Sequence, residues 1–564
     1  MKLVNPVSDA TKELREVILA ALGRAVANNE LSNEPIPAFN IEIPADKNNG
    51  DFATNVAMVS ARAFKLPPRK IAEIIANAMV LEGTSFERVE VAGPGFINVF
   101  LSRSWFSNVV SSIDENKDDY GKTSYGENKK VLVEFVSANP TGPMHIGNAR
   151  GGAIGDGLAS VLDWAGYDVK REFYVNDAGN QINKFAISLE TRYLQLYLND
   201  IEMPEDAYQG EDIINHAKAF AAIHGDKFVD VSSEERKDAL VAYALPLNIK
   251  GLHDDLLKYR IEYDNWFLES TLHKNDEVSK VVALLKEKGH TYESEGATWF
   301  KATEFGADKD FVLVRSNGVP TYVVPDIAYH YNKLVTRGFD KAIDVLGADH
   351  HGYVPRLKAA LQALDIDPSR LDVVLMQMVR LVRGSEIIKA SKRSGKAITL
   401  VTLLDEVPID AARFHFNLRE ANSHFDFDLD LAVEQSSQNP VYYVQYAHAR
   451  ICSILLNLGA EGITPKAAKE CNLDLLNAAE EVELIRHLSI FPNEIIEASK
   501  SYDPPRITRY AIDLATLFHK FYNACRVKSD DKELMYARLA LCMAVKTTIK
   551  NVLTLLKIDA PTSM

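Results

Sequence analysis

One stretch constrains the chain more than any other: residues 131–156, VLVEFVSANPTGPMHIGNARGGAIGD. Residues 131–136 form an apolar, β-branched run of the length expected of a buried strand. The next seven, SANPTGP, are dense in helix and strand breakers and must turn sharply. From about His145, small and apolar residues (Ile146, Ala149, Gly152, Ala153, Leu158, Val161, Leu162) recur at helical spacing. A strand feeding a tight loop and then a helix sets backbone N–H groups at the helix start, where an anionic phosphate binds favourably. His145 is expected in that first turn, with Gly147 leaving room for a flat ring close to the backbone. Units of this shape are widespread, so geometry alone makes nucleotide binding no better than an even choice.

At 564 residues the chain should divide into three or four domains. No apolar run approaches the roughly twenty residues needed to span a membrane, and the start, MKLVNPVSDATKEL, lacks the apolar core of a signal peptide. Cys452, Cys471, Cys525 and Cys542 lie far apart without metal-ligand spacing, which indicates neither zinc nor a disulfide framework. The reading is a cytoplasmic, reduced protein. A net charge of −15 argues against indiscriminate nucleic-acid binding, DNA included, but leaves a specific RNA partner open.

Along the chain, residues 10–27 carry a helical apolar pattern, 39–43 alternate as a strand, and 55–64 read as helix. Pro67-Pro68 precedes a further helix from near Lys70, and 88–91 with 96–101 make a hairpin around AGPG at 92–95. Residues 169–175 alternate as a strand before a turn at 176–180. Residues from about 190 to 290 are polar and helical, and are expected to form an insertion with a solvated surface. Short strands follow at 311–315, 342–346 and 371–381, interleaved with helices. Such alternation implies a parallel sheet with ligands outside the carboxyl ends of its strands. Tyr322, Asp326, Asp349 and His350 fall at such ends. Any one Asp there is most simply a helix cap; four polar groups at one edge favour a ligand site. Glu134, an acid inside an apolar strand, should meet a cation, and with Asp326 it could bracket a guanidinium. Lys389-Ala390-Ser391-Lys392 opens a basic loop that, as a bare charge run, would be solvated. Beyond residue 410 the pattern is helical, and its aromatics read first as bundle core.

The core Pro143-Met144-His145-Ile146-Gly147-Asn148 resembles the first signature of the class I aminoacyl-tRNA synthetases and related nucleotidylyl transferases, with Asn148 in place of the usual final His. The Lys389 to Lys392 loop resembles their second signature, with Ala390 in place of Met; both ammonium groups and the Ser391 hydroxyl are kept. GDFATNVAM at 50–58, AGPGFINVF at 92–100 and YDVKREFYVNDAGNQINKF at 167–185 are similar to arginyl-tRNA synthetases. The end of the chain resembles their anticodon-binding bundle, down to Ala560-Pro561 and terminal Met564. Two departures, Asn148 and Ala390, motivate a catalytically silent tRNA-binding relative as the alternative. A synthetase for another amino acid and a small-molecule adenylyltransferase are the other rivals.

The resemblance implies an α/β fold: a Rossmann-like parallel-sheet catalytic domain (113–408), an α/β N-terminal domain touching the tRNA elbow (1–112), and an all-α anticodon-binding bundle (409–564). It implies arginine activation by ATP with Mg²⁺, without zinc or an organic prosthetic group, then transfer to the 3′ ribose of tRNA(Arg) by a monomer that meets no membrane. It implies His145, Asn148, Lys389, Ser391 and Lys392 as catalytic residues and Glu134, Ser137, Asn139, His145, Tyr322, Asp326 and Asp349 around arginine. Around ATP it implies Pro143, His145, Gly147, Asn148, Gly347, Asp349, His350, Met378, Lys389 and Lys392. Toward tRNA it implies Tyr442, Tyr446, Tyr522 and Met564. His145, Asn148 and the two lysines are expected to place positive potential over the departing phosphates.

Overall fold

The computed structural model describes residues 3–384, 386–388 and 398–564. Its centre is a parallel sheet of five strands: β1 Lys130–Phe135, β2 Asp168–Val175, β3 Asn265–Leu268, β4 Lys341–Gly347 and β5 Leu371–Met376, in spatial order β5-β4-β1-β2-β3. Between β1 and β2 runs helix α1, Ile146–Trp164, buried along nearly its whole length. That burial on all sides explains its run of Gly and Ala. At Gly155 the approach is closest: a Cβ there would lie 2.2 Å from the Phe135 ring of β1.

Three expectations of the sequence need correction. The stretch from about 190 to 290 is not wholly an insertion, because Asn265–Leu268 is the edge strand β3, paired in parallel with β2. Four residues flanked by charges are too few to display an alternation. Phe311–Val314 does not join the central sheet; it pairs antiparallel with Ala297–Phe300 in a separate three-stranded sheet. The apolar run 371–381 breaks at Gln377, whose N–H turns to the Ala421 carbonyl (2.9 Å). Beyond the break, Val379–Arg383 belongs to a second small sheet with Glu386–Ile388 and Phe425–Asp428.

The N-terminal region packs helices Pro6–Ala27, Val56–Phe64 and Pro68–Ala78 against a four-stranded antiparallel sheet. Helix Pro68–Ala78 opens on Pro68 itself, where a missing N–H goes unmissed. Helix Arg103–Asn116 then carries the chain continuously past residue 112. The C-terminal region is a bundle whose long helices include Pro440–Ala460, Pro505–Ala524 and Lys532–Leu555. Bundle and sheet meet at Asp156 of α1. Fully buried, it accepts from Arg413 Nη2 (2.5 Å), Arg171 Nε (2.9 Å) and Lys557 Nζ (3.0 Å). Among the described residues no helix is long and apolar enough to cross a membrane.

Candidate functional site

The pairing of β2, β1 and β4 sets Glu172, Glu134 and Asp344 side by side in one row across the sheet. All three are buried. Helix α2, Val323–Tyr331, continues as a π-helical turn, Asn332–Thr336, and supplies this row with partners. Lys333 Nζ, itself fully buried, lies 2.5 Å from Glu134 Oε2 and 2.9 Å from Asp344 Oδ1. Arg337 donates to both Glu172 oxygens (2.9 and 2.6 Å), and the Tyr329 hydroxyl adds a third bond at 2.6 Å. His330 Nε2 meets Asp344 Oδ2 at 2.7 Å. Turns of the π type recur at functional sites. Here the turn lets one helix place Tyr329, His330, Lys333 and Arg337 over the same row.

The cation anticipated for Glu134 is therefore resident: it is Lys333. The other Glu134 oxygen accepts from Ser137 Oγ (2.9 Å), which in turn accepts from the Tyr174 N–H (3.1 Å). Each Glu134 oxygen thus has one resident donor, and a carboxylate so held keeps further lone pairs for a second. Burial still holds its carboxyl above the ordinary range, Lys333 offsetting only part of that. In Asp344 burial pushes the same way, but Lys333 and His330 prevail and hold it well below.

Asp326, in the first turn of α2, is different. Its Oδ2 accepts from the Tyr353 hydroxyl at 2.5 Å. Among the described residues no Lys or Arg is paired with it, and burial raises its carboxyl. Asp326 is half-buried; Glu269, the residue after β3, is buried, and burial and then the charge of Asp326 raise it. Around this acid pair the edge is open. Tyr322 is 70% exposed, its ring 6.2 Å from that of Tyr353. Asn139 is exposed, as is Asp349 in the short turn Ala348–His350.

The loop after β1 turns through two consecutive non-glycine residues in the left-handed region, Val136 (φ 69°) and Ser137 (φ 40°). Such strain persists where the surroundings over-determine it, and it collects at functional sites. The loop ends at His145, the N-cap of α1. Its Nδ1 accepts from the Gly147 N–H (3.0 Å), while the Asn148 side-chain oxygen accepts from the His145 N–H (3.0 Å). These reciprocal bonds close the first turn.

Two expectations change as a result. A Cβ at Gly147 would come within 2.8 Å of His145 Cε1, so the flat ring for which glycine leaves room is the imidazole of His145. An Nδ1 that accepts leaves the proton on Nε2, and although the ring reaches solvent, protein atoms on its other side depress its pKa. At neutral pH His145 thus offers an N–H dipole rather than a charge. The Asn148 oxygen is used in the cap, and among the described residues its amide N–H groups have no hydrogen-bond partner.

Lys389, Ser391 and Lys392, with Ala390, lie outside the described residues. The chain that follows them docks on the first signature: Thr399 bridges to His145, and the Leu400 N–H donates to the Met144 carbonyl (2.9 Å). Gly347 ends β4, with Asp349 folded back so that a Cβ on Gly347 would lie 2.4 Å from its Oδ1. His350 Nε2 stands 3.8 Å from that Asp349 carboxylate. Pro143 is exposed on the loop, and Met378, just past the break after β5, is 68% exposed.

In the C-terminal bundle, helices α3 (Pro440–Ala460) and α4 (Pro505–Ala524) share a partly exposed aromatic face. Tyr442 and Tyr446 lie nearly parallel (7°) with centroids 6.2 Å apart. The Arg450 guanidinium covers Tyr446 at 5.1 Å and Tyr522 at 4.6 Å, which joins the three expected tyrosines into one surface. His519 lies against Tyr443 and Tyr446, its pKa pushed down to about 4 by burial and then by Arg450. Met564 is exposed at the chain end.

Sequence reasoning passed over Glu172, Asp344, Lys333, Glu269 and Arg450. A signal existed for most of them. Glu134 and Asp344 each stand as the one acid in an otherwise apolar strand interior, whereas Glu172 is masked by the charges of Lys170 and Arg171 beside it, and His330, Lys333 and Arg337 follow Asp326 at helical intervals. Arg450 continues the four-residue step from Tyr442 and Tyr446.

Comparison with known proteins adds names to this geometry. A family model described as tRNA synthetases class I (R), catalytic domain, matches residues 109–453. The arginyl tRNA synthetase N terminal domain model matches 12–101, and the DALR anticodon binding domain model matches 444–564. The arginine–tRNA ligase of Caldanaerobacter subterraneus subsp. tengcongensis is 57% identical across 99% of this chain and 100% of its own. That of Acetivibrio thermocellus is 52% identical across 100% of both. The solved arginyl-tRNA synthetase of Thermus thermophilus, at 22% identity, has a TM-score of 0.74 over 98% of this chain and 100% of its own, a likeness of fold.

Proposed function

The chain belongs to the arginyl-tRNA synthetase family, with the ATP-dependent ligation of arginine to tRNA as its activity, and we propose which of its residues carry each step. Class I synthetases take ATP with Mg²⁺ as the substrate complex. One carboxylate oxygen of arginine attacks the α-phosphorus; the bond to the bridging oxygen breaks, and pyrophosphate leaves with the electron pair. The attacking group is already ionised at neutral pH, so the site must supply alignment and charge stabilisation rather than a strong base. A ribose hydroxyl at the tRNA 3′ end then attacks the adenylate carbonyl and AMP departs.

In this assignment the arginine guanidinium lies against Asp326, which among the described residues has no Lys or Arg partner. Glu134 stands behind it, fixed by Lys333 and Ser137, while Asn139, Tyr322 and Asp349 form the rim. The observation that carries the reading is the excess of buried carboxylate at this end of the sheet. Glu134, Glu172, Asp344 and Glu269, buried, and Asp326, half-buried, gather there, and among the described residues only Lys333 and Arg337 pair with them as permanent cations. Buried acids in such surplus favour uptake of a further cation.

ATP occupies the neighbouring edge formed by Pro143, Gly147, Gly347, His350 and Met378. His145 donates through Nε2 and Asn148 through its amide, Lys389 and Lys392 supply the charges over the leaving group, and Ser391 adds a hydroxyl donor. The docking of Thr399 on His145 supports their belonging to this site. The face made by Tyr442, Tyr446 and Tyr522, with Met564, contacts tRNA through stacking, and residues 1–112 meet the tRNA elbow. The enzyme acts as a monomer in the cytoplasm.

The test is ATP–pyrophosphate exchange, run with and without tRNA(Arg). Exchange should depend on arginine, and Asp326→Asn should raise the Michaelis constant for arginine while leaving that for ATP near its wild-type value. Equal support of exchange by lysine or citrulline, or an unmoved constant in Asp326→Asn, rejects the arginine assignment.

A further inference from the structure

Arg150 is among the largest side chains in the molecule that are wholly buried. It sits one turn into α1, five residues past His145. Among the described residues no carboxylate pairs with its guanidinium. Instead Nη1 donates to the Gln377 carbonyl (2.6 Å), and Nη2 donates to the carbonyls of Glu420 and Ser423 (3.0 Å each). Among the described residues Nε has no partner, and the Phe425 ring lies 5.7 Å from the guanidinium carbon. Desolvation pushes its pKa down to about 10, so it keeps its charge at neutral pH.

A buried guanidinium without an anion is costly unless its N–H groups are hydrogen-bonded, and truncating it would take a donor from three backbone carbonyls at once. Where those carbonyls lie therefore decides what the side chain does. Gln377 is where the run after β5 breaks, and it is the residue before Met378. Its own N–H is already bonded to Ala421 of the 420–423 loop. From Met378 the chain runs through Val379–Arg383 and Glu386–Ile388 to the second signature. Arg150 thus fastens three backbone points on the far wall of the nucleotide edge to the helix that begins at His145.

We propose that Arg150 is a positioning residue for ATP: through the carbonyls of Gln377, Glu420 and Ser423 it fixes the wall bearing Met378 at a set distance from the first signature. This rests on the placement of ATP between His145 and Met378 given above. A forked donor matches three divergent carbonyls better than a single ammonium does, so lysine should serve only in part.

The experiment is arginine-dependent ATP–pyrophosphate exchange with tRNA present, measuring the Michaelis constants for ATP and arginine separately alongside the melting temperature. Arg150→Met should raise the constant for ATP about tenfold or more and leave that for arginine within about twofold; Arg150→Lys should fall between. A purely structural role would move both constants together or only the melting temperature, and that result overturns the proposal. So does an Arg150→Lys protein with the wild-type constant for ATP. A measurement needing no variant stands beside these. In the wild-type protein ATP should slow amide exchange across 377–379 and 420–423 together, and protection of one segment without the other overturns the proposal. His145→Ala separates the two readings: wild-type exchange in that variant removes the ATP placement itself. Loss of exchange there with unaltered kinetics in Arg150→Met removes only the role of Arg150.

Discussion

Asp156 and Glu134 are carboxylates buried in one nucleotide-binding fold, and they are compensated in opposite senses. Asp156 is surrounded by Arg413, Arg171 and Lys557, three cations for one acid, and although burial works against ionisation these hold it at about 2. Glu134 shares one ammonium with Asp344, close to Asp326 and Glu269, and its carboxyl is held above the ordinary range. Asp156 lies where helix, sheet and bundle meet; Glu134 lies at the open end of the strands. A buried acid with surplus cations behaves as a fastener, whereas a group of acids short of cations is poised to take one from outside.

The sharpest way to break that contrast is to remove each acid and ask what fails. Asp156→Ala leaves three cations around an empty place and should lower stability by about 3–5 kcal/mol in denaturant unfolding. Arginine affinity in the folded fraction should be unchanged. Asp326→Asn should do the converse. Losing a hydrogen bond to a charged group is worth roughly 1.5–3 kcal/mol, a Michaelis constant for arginine raised about tenfold to a hundredfold, with stability unimpaired. If either variant shows the other's behaviour, the distinction fails.

Acid titration sharpens it further. Asp156 has a folded pKa below its unfolded value near 3.8, so its stabilisation, on the order of 2 kcal/mol, is present above about pH 4 and is lost as pH falls through about 2. Asp326 and Glu269 are raised instead, and a bound guanidinium favours their ionised forms. Arginine should therefore displace protons on binding, and its Michaelis constant should climb on acidification before the fold weakens. Coincident pH dependences would contradict this. The smallest effect expected is that of Lys557→Met. Two arginines remain on Asp156 and the lysine is partly solvated, so the loss should stay within about 1 kcal/mol.

Much of this arrangement was legible in the amino-acid order, and the failures have physical causes. The β1–loop–α1 unit reads correctly because breakers, strand and helix signals each occupy separate residues. β3 does not, since Asn265–Leu268 is too short to show a period, and the run 371–381 conceals a change of sheet because apolar residues suit both. Glu134 was identifiable as an acid needing a cation, but Lys333 lies 199 residues away, and no local pattern announces which cation arrives. Similarly, Gly147 announced that a ring lies close; only coordinates identify it as that of its neighbour.

The π turn at Asn332–Thr336 has one more consequence. Each residue of an α-helix advances the chain by about 100°, so deleting a single residue there would swing Arg337 away from Glu172 while Tyr329 and His330 stayed in place. Natural length variation should accordingly be barred from these five positions, even though nothing in their spelling distinguishes them from helix that tolerates it.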